Sequence, residues 1–200
     1  MAEIGGLYEG AQVNSIGLIA GTCVASGMGW RPVEAIAPGD MVLSFDHGMV
    51  PVRDVTRTTL WPCAIRIPEA SWPVFVPAGA LNNAQDMTLL PDQPVMVESD
   101  AALDAHGDPF ALVQAKALEG LRGIERTAPL REIEVITLTF DTDQVIYAQG
   151  GLLAYCPCPH IALADVVAGA QQPYEVLNLS DAAFLASCIA IEDGRAAATG

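Results

Sequence analysis

Short runs of β-branched and other apolar residues recur through the first 150 positions, among them TCVAS, MVLSF, MVPVRDV, AIRI, VFV, TLL, VMVE, IEVITLTF and QVIYA. Proline, glycine or aspartate separates them, and helical periodicity is nearly absent there, so the pattern predicts an all-β chain of many short strands. Two polar turns stand between alternating runs. DHG, ending in Gly48, joins MVLSF to MVPVRDV, and Asp-Thr-Asp joins IEVITLTF to QVIYAQG, so both predict hairpins. PGD at 38–40 predicts a tight turn. PFALVQAKALEGL reads as a strand running into a short helical turn.

After residue 150 the pattern changes. Two prolines stiffen LLAYCPCPH, and SDAAFLASCIAIED then predicts a helix with Ser180 as N-cap, Asp181 near the positive end of the dipole, and a buried stripe of Phe184, Leu185, Cys188 and Ile191. The expected organisation is an N-terminal arm over 1–15, a β domain over 16–155, and a linker with a C-terminal helix over 156–200.

Charge narrows the partners. With 24 acidic against 9 basic residues and a net charge of −15, the chain is a poor match for a phosphate backbone, and nucleic acid is excluded as a partner. The N-terminal stretch MAEIGGLYEG carries no positive charge and no run approaches a membrane span, so a cytoplasmic setting is expected. Five cysteines, unevenly spread, do not form the framework of a small secreted domain. An apolar content of 52% leaves surface for a protein partner or for a second copy of the chain.

The order of the runs resembles the bacterial Hint (hedgehog/intein) domain family. GTCVASGMGWRPVEAIAPGDMVLS followed by FDHGMVPVRDV is similar to that family's Gly-Thr strand, Pro-Val-Glu segment and Pro-Gly-Asp turn. VFVPAGAL, TLLPDQPVMV and IEVITLTFDTDQVIYAQG follow in the family's order. The resemblance implies an all-β, Hint-like horseshoe. It also implies where self-processing chemistry belongs: a nucleophilic Cys five positions before the Thr of the Gly-Thr strand, and a His in a Ser-Pro-x-His element that protonates the departing nitrogen.

Counting places Gly17 at the nucleophile position and Gln93 at the His position, with Thr137 and Asp143 where the family often carries His in the closing segment. None of the four supplies the expected chemistry. Splicing needs a His-Asn pair, whereas Asn178 lies between Leu177 and Leu179. The leading expectation is therefore a Hint-like domain that has lost autoprocessing and serves as a binding or structural module. One alternative is an active self-cleaving domain with Cys23 or Thr22 as nucleophile. Another is a metal site at CPCPH, where Cys156, Cys158 and His160 are ligand types that zinc accepts and Asp165 is a candidate fourth; otherwise no cofactor is expected.

Overall fold

The computed structural model describes residues 16–61, 67–159 and 174–199. In chain order the strands are β1 (Leu18–Ile19), β2 (Cys23–Ser26), β3 (Gly29–Pro32), β4 (Met41–Ser44), β5 (Gly48–Pro51), β6 (Asp54–Leu60) and β7 (Val74–Val76). There follow β8 (Met87–Leu89), β9 (Pro94–Glu98), β10 (Phe110–Gln114), β11 (Glu125–Arg126), β12 (Ile133–Thr139), β13 (Gln144–Ala148) and β14 (Leu152–Cys156). A short helix, α1 (Asp100–His106), precedes β10, and a long one, α2 (Leu179–Thr199), ends the chain.

The strands form two open sheets. The first runs β11-β7-β8-β1-β12-β6, and the second runs β10-β9-β14-β13-β2-β4-β5 with β3 paired to β2. The named strand pairs are antiparallel. Inward-facing residues from both sheets, including Val24, Val76, Val95, Ile136 and Ile146, merge with Phe140 just past β12 into one core. This is the all-β architecture with a C-terminal helix that the sequence predicts.

The hairpin β4–β5 forms across Asp46-His47-Gly48, with Ser44 opposite Gly48. At Pro38-Gly39-Asp40, Gly39 adopts a φ of 91°, and the Asp40 carboxylate accepts from the Ala37 N–H at 3.0 Å. That bond, with Arg31 beside it, holds the Asp40 carboxyl below its ordinary pKa. The strand–turn segment also forms, as β10 followed by a 3₁₀ turn at Ala115–Leu118.

The expected hairpin across Asp141-Thr142-Asp143 does not form. Instead β12 stays in the first sheet, paired to β6 along seven residues from Ile133↔Leu60 to Thr139↔Asp54, while β13 crosses to the second. The partner of β13 is β14, reached through Gln149-Gly150-Gly151, with Gln144 opposite Cys156. Close approach demands the glycines, since a Cβ on Gly150, whose φ is 89°, would lie 2.5 Å from the Ala84 Cβ. Asp54–Leu60 form a strand of their own, although MVPVRDV reads as one run. The AIRI run, Ile67 apart, lies outside the described residues, as do residues 1–15.

In α2 the buried stripe differs from the expected one. Ala182, Leu185, Ala186 and Ile189 are buried, while Phe184 is 71% and Ile191 56% exposed, and Cys188 is half-buried. Asn178 rather than Ser180 caps the helix, its Oδ1 accepting from the Asp181 N–H at 3.0 Å. The cap shifts by two residues because Asn178, just before the first turn, closes a reciprocal pair with Asp181, its Nδ2 donating to Asp181 Oδ2 at 2.7 Å. Two polar contacts fix the far end of α2 to the β domain. Glu192 Oε1 accepts from the Ala101 N–H at 2.9 Å, and Arg122 donates from both Nε and Nη2 to Asp193 at 2.7 Å.

The two faces of α2 should respond differently to truncation. Leu185→Ala is expected to cost about 2–4 kcal/mol by opening a cavity against the domain, whereas Phe184→Ala changes stability by less than about 0.5 kcal/mol. Urea denaturation midpoints of the two variants check this, and equal losses would contradict the docking face.

Candidate functional site

The peptide unit joining Ile16 to Gly17 lies at the entry to β1, which sits between β8 and β12 with Leu18 opposite both Leu89 and Ile136. Gly17 has a φ of 150°, and a Cβ built there would come within 2.6 Å of Val135 Cγ1 and 2.9 Å of Thr137 Oγ1. Such a side chain has no room. The space it would need belongs to β12.

Both polar atoms of this peptide unit are held. The Gly17 N–H donates to Gln93 Oε1 at 2.8 Å, and the Thr137 hydroxyl donates to the Ile16 carbonyl at 3.2 Å. Gln93 follows a turn in which its own N–H bonds to the Leu90 carbonyl, and its side chain is 1% exposed. Its Nε2 donates to the Pro94 carbonyl at 2.9 Å and to the Tyr155 carbonyl at 2.8 Å. With every polar position engaged, the carboxamide is locked in one orientation. It accepts from the amide nitrogen and has no proton to transfer there near neutral pH.

Three of the four positions singled out in sequence, Gly17, Gln93 and Thr137, therefore converge on one peptide bond. Asp143 sits elsewhere, its Oδ1 accepting from the Cys158 N–H at 2.7 Å. It also lies against Tyr155, whose hydroxyl is held above its ordinary pKa by burial and then by that carboxylate.

Cys23 begins β2 in the other sheet, and Thr22 lies just before it. Thr22 is buried, and its carbonyl accepts from the Val33 N–H at 2.8 Å. Cys23, at the start of β2, exchanges two hydrogen bonds with Gln149: its N–H donates to Gln149 Oε1 at 2.9 Å, and its carbonyl accepts from the Gln149 N–H at 2.7 Å. The shallow cleft beside it is lined by Trp30, Gln85 and Gln149, none of them charged. No general base faces its sulfur among the described residues.

At the proposed ligand cluster, Cys156 ends β14 in the core, and burial pushes its thiol up to about 12. A thiolate ligand is costly in that place. Cys158 lies past the strand end, its Sγ 3.5 Å from the Asp141 carbonyl. His160 and Asp165 lie outside the described residues, and among those described no group of three His, Cys, Asp or Glu side chains is arranged around a common point.

A profile of the Hint domain family matches residues 16–154. The chain belongs to the Hint domain family. Among solved structures, a bacterial intein-like domain from Clostridium thermocellum superposes with a TM-score of 0.50 at 13% identity, covering 70% of this chain and 98% of that one. The AceL NrdHF class 3 split intein, in a splice-inactive variant, gives 0.46 at 15% identity over 72% and 99%. The MchDnaB-1 intein gives 0.44 at 12% identity over 68% and 98%. At these identities the likeness is one of fold. No curated protein matches the sequence.

Sequence reasoning located Gly17 in this Hint domain but missed Val135, which closes the space beside it. The signal available was β alternation: Val135 and Thr137 stand two apart on β12 and so share a face.

Two substitutions probe the packing of the junction. Gly17→Ala should cost about 2–4 kcal/mol, from overpacking against Val135 and an unfavourable φ. Gln93→Leu, similar in volume, should cost about 3 kcal/mol by stranding the Gly17 N–H and the Pro94 and Tyr155 carbonyls. Chemical denaturation measures both, and a loss below about 1 kcal/mol in each would contradict the geometry.

Proposed function

We propose that this Hint domain has lost autoprocessing and acts as a binding or structural module that keeps the Ile16–Gly17 peptide bond intact. The observation that carries this reading is the clamped peptide unit, with Gln93 on its nitrogen and Thr137 on its carbonyl. Acyl shift at that bond would need a nucleophilic side chain at residue 17, and glycine provides none. Cleavage would also need a proton for the departing nitrogen. Gln93 instead offers an acceptor, which stabilises the amide as it stands. Thr137 supplies one hydroxyl donor to the carbonyl, a weak version of the charge stabilisation that acyl transfer requires.

Attack by Cys23 on the Thr22 carbonyl has less behind it. That carbonyl is bonded to the Val33 N–H, and the Cys23 N–H to Gln149, so this second peptide bond is likewise held between neutral groups. A metal role at Cys156 would require ionising a thiol in the core. The remaining assets of the chain are surfaces, which suits a protein partner.

Intact-mass spectrometry of the full chain tests the reading. After a day at neutral pH with reductant and hydroxylamine, the expected result is one species at the 21.0 kDa mass of the whole sequence. A product cut at Ile16–Gly17 would overturn it. So would one cut beside Thr22 or Cys23, which would make either of these the nucleophile.

A further inference from the structure

The second sheet carries a groove along β9 and β10. One cleft of about 620 Å³ and a neighbour of about 540 Å³ share Phe45, Met96 and Phe110 as a common floor. The floor is built of packed rings. Phe45 meets Phe110 edge-on with centroids 5.0 Å apart, and meets Tyr147 at 6.3 Å. Tyr174 closes one end and donates its hydroxyl to Asp46.

Acid surrounds these rings. Asp46, Asp108 and Glu175 line the first cleft, which has no lysine or arginine in its wall, and Glu98, Asp100 and Glu192 line the second. Arg122 is the cation in the second wall and is already bound to Asp193. Among the described residues, six lysines and arginines form ion pairs, none of them with these six carboxylates. The groove therefore joins half-buried aromatic rings to carboxylates that, among the described residues, form no ion pair of their own.

A guanidinium group matches both features. It stacks on aromatic faces, is weakly hydrated for a cation, and pairs with carboxylates through its fork of donors. We propose that this groove binds an arginine-bearing segment of a protein partner. The two joined clefts give an elongated site suited to an extended peptide, and the net charge of −15 draws a basic partner toward it. The inference gives chemistry to the binding role proposed above. It does not rest on the fate of the Ile16–Gly17 bond, so mass and binding measurements fail separately.

The test titrates the full chain against a short fluorescein-labelled peptide carrying several arginines, and against the same peptide with citrulline at those positions, by fluorescence anisotropy. The arginine peptide should bind at least about tenfold more tightly than its neutral counterpart, and should weaken as salt is raised. Asp108→Asn with Glu175→Gln should weaken it by about tenfold or more. Asn at 108 keeps the oxygen that accepts from the Phe110 N–H, so the local turn survives. Asp54→Asn with Glu125→Gln removes as much charge from the other sheet and should leave affinity within about twofold. Equal binding of the citrulline peptide, equal weakening by the remote pair, or no binding of either peptide would each overturn the proposal.

Discussion

A single buried carboxamide ties the two sheets together. Gln93 accepts from the chain as it enters β1 in the first sheet and donates to the Tyr155 carbonyl on β14 in the second. Leaving a buried donor or acceptor unpaired costs about 1–3 kcal/mol each, more than a typical exposed contact returns. The Leu90–Gln93 turn, the entry to β1 and the end of β14 must therefore be set together. Pro91 and Pro94 limit the backbone on either side of the side chain that performs this task.

The constraint that orders the junction also decides what the junction can do. A residue poised for acyl shift needs a reactive side chain, a proton for the leaving nitrogen, and strain in the bond to be broken. Here the bond is solvated by protein on both polar atoms, and the residue that follows it is a glycine whose neighbours have closed in. Val135 fills the space, and Gln93 accepts a fixed hydrogen bond from the Gly17 N–H. The stability of the junction and the loss of autoprocessing proposed above thus rest on the same contacts. The Hint framework itself rests on β alternation and turn geometry, with one core shared by both sheets.

Much of this was legible in the sequence where local chemistry dictates structure. Gly48 and Gly39 marked their turns, and alternation marked most strands. The Asp-Thr-Asp turn misled because a polar turn between two β runs specifies a reversal without saying which sheet receives the next strand. The Gln149-Gly150-Gly151 turn carried an equal signal, and its glycines fit only by close approach to Ala84 and Asn82. On α2, both Phe184/Ile191 and Leu185/Ile189 satisfy helical spacing, so periodicity alone could not choose the docked face. The choice belongs to tertiary contacts, where Ala182 and Ala186 let the helix lie close. Counting along the chain found Gly17, Gln93 and Thr137, but their meeting at one peptide bond required the register of β1 against β12.

The amide hydrogen-exchange rate of Gly17, followed by NMR on the intact chain, examines the clamp itself. The account predicts protection approaching that of core amides such as Ile136 and Ile146, because the Gly17 N–H is buried and bonded to a carboxamide that is itself held by two further hydrogen bonds. Exchange at Gly17 as fast as in an unstructured chain end would contradict it, leaving the Ile16–Gly17 bond free of the contact on which the whole reading depends.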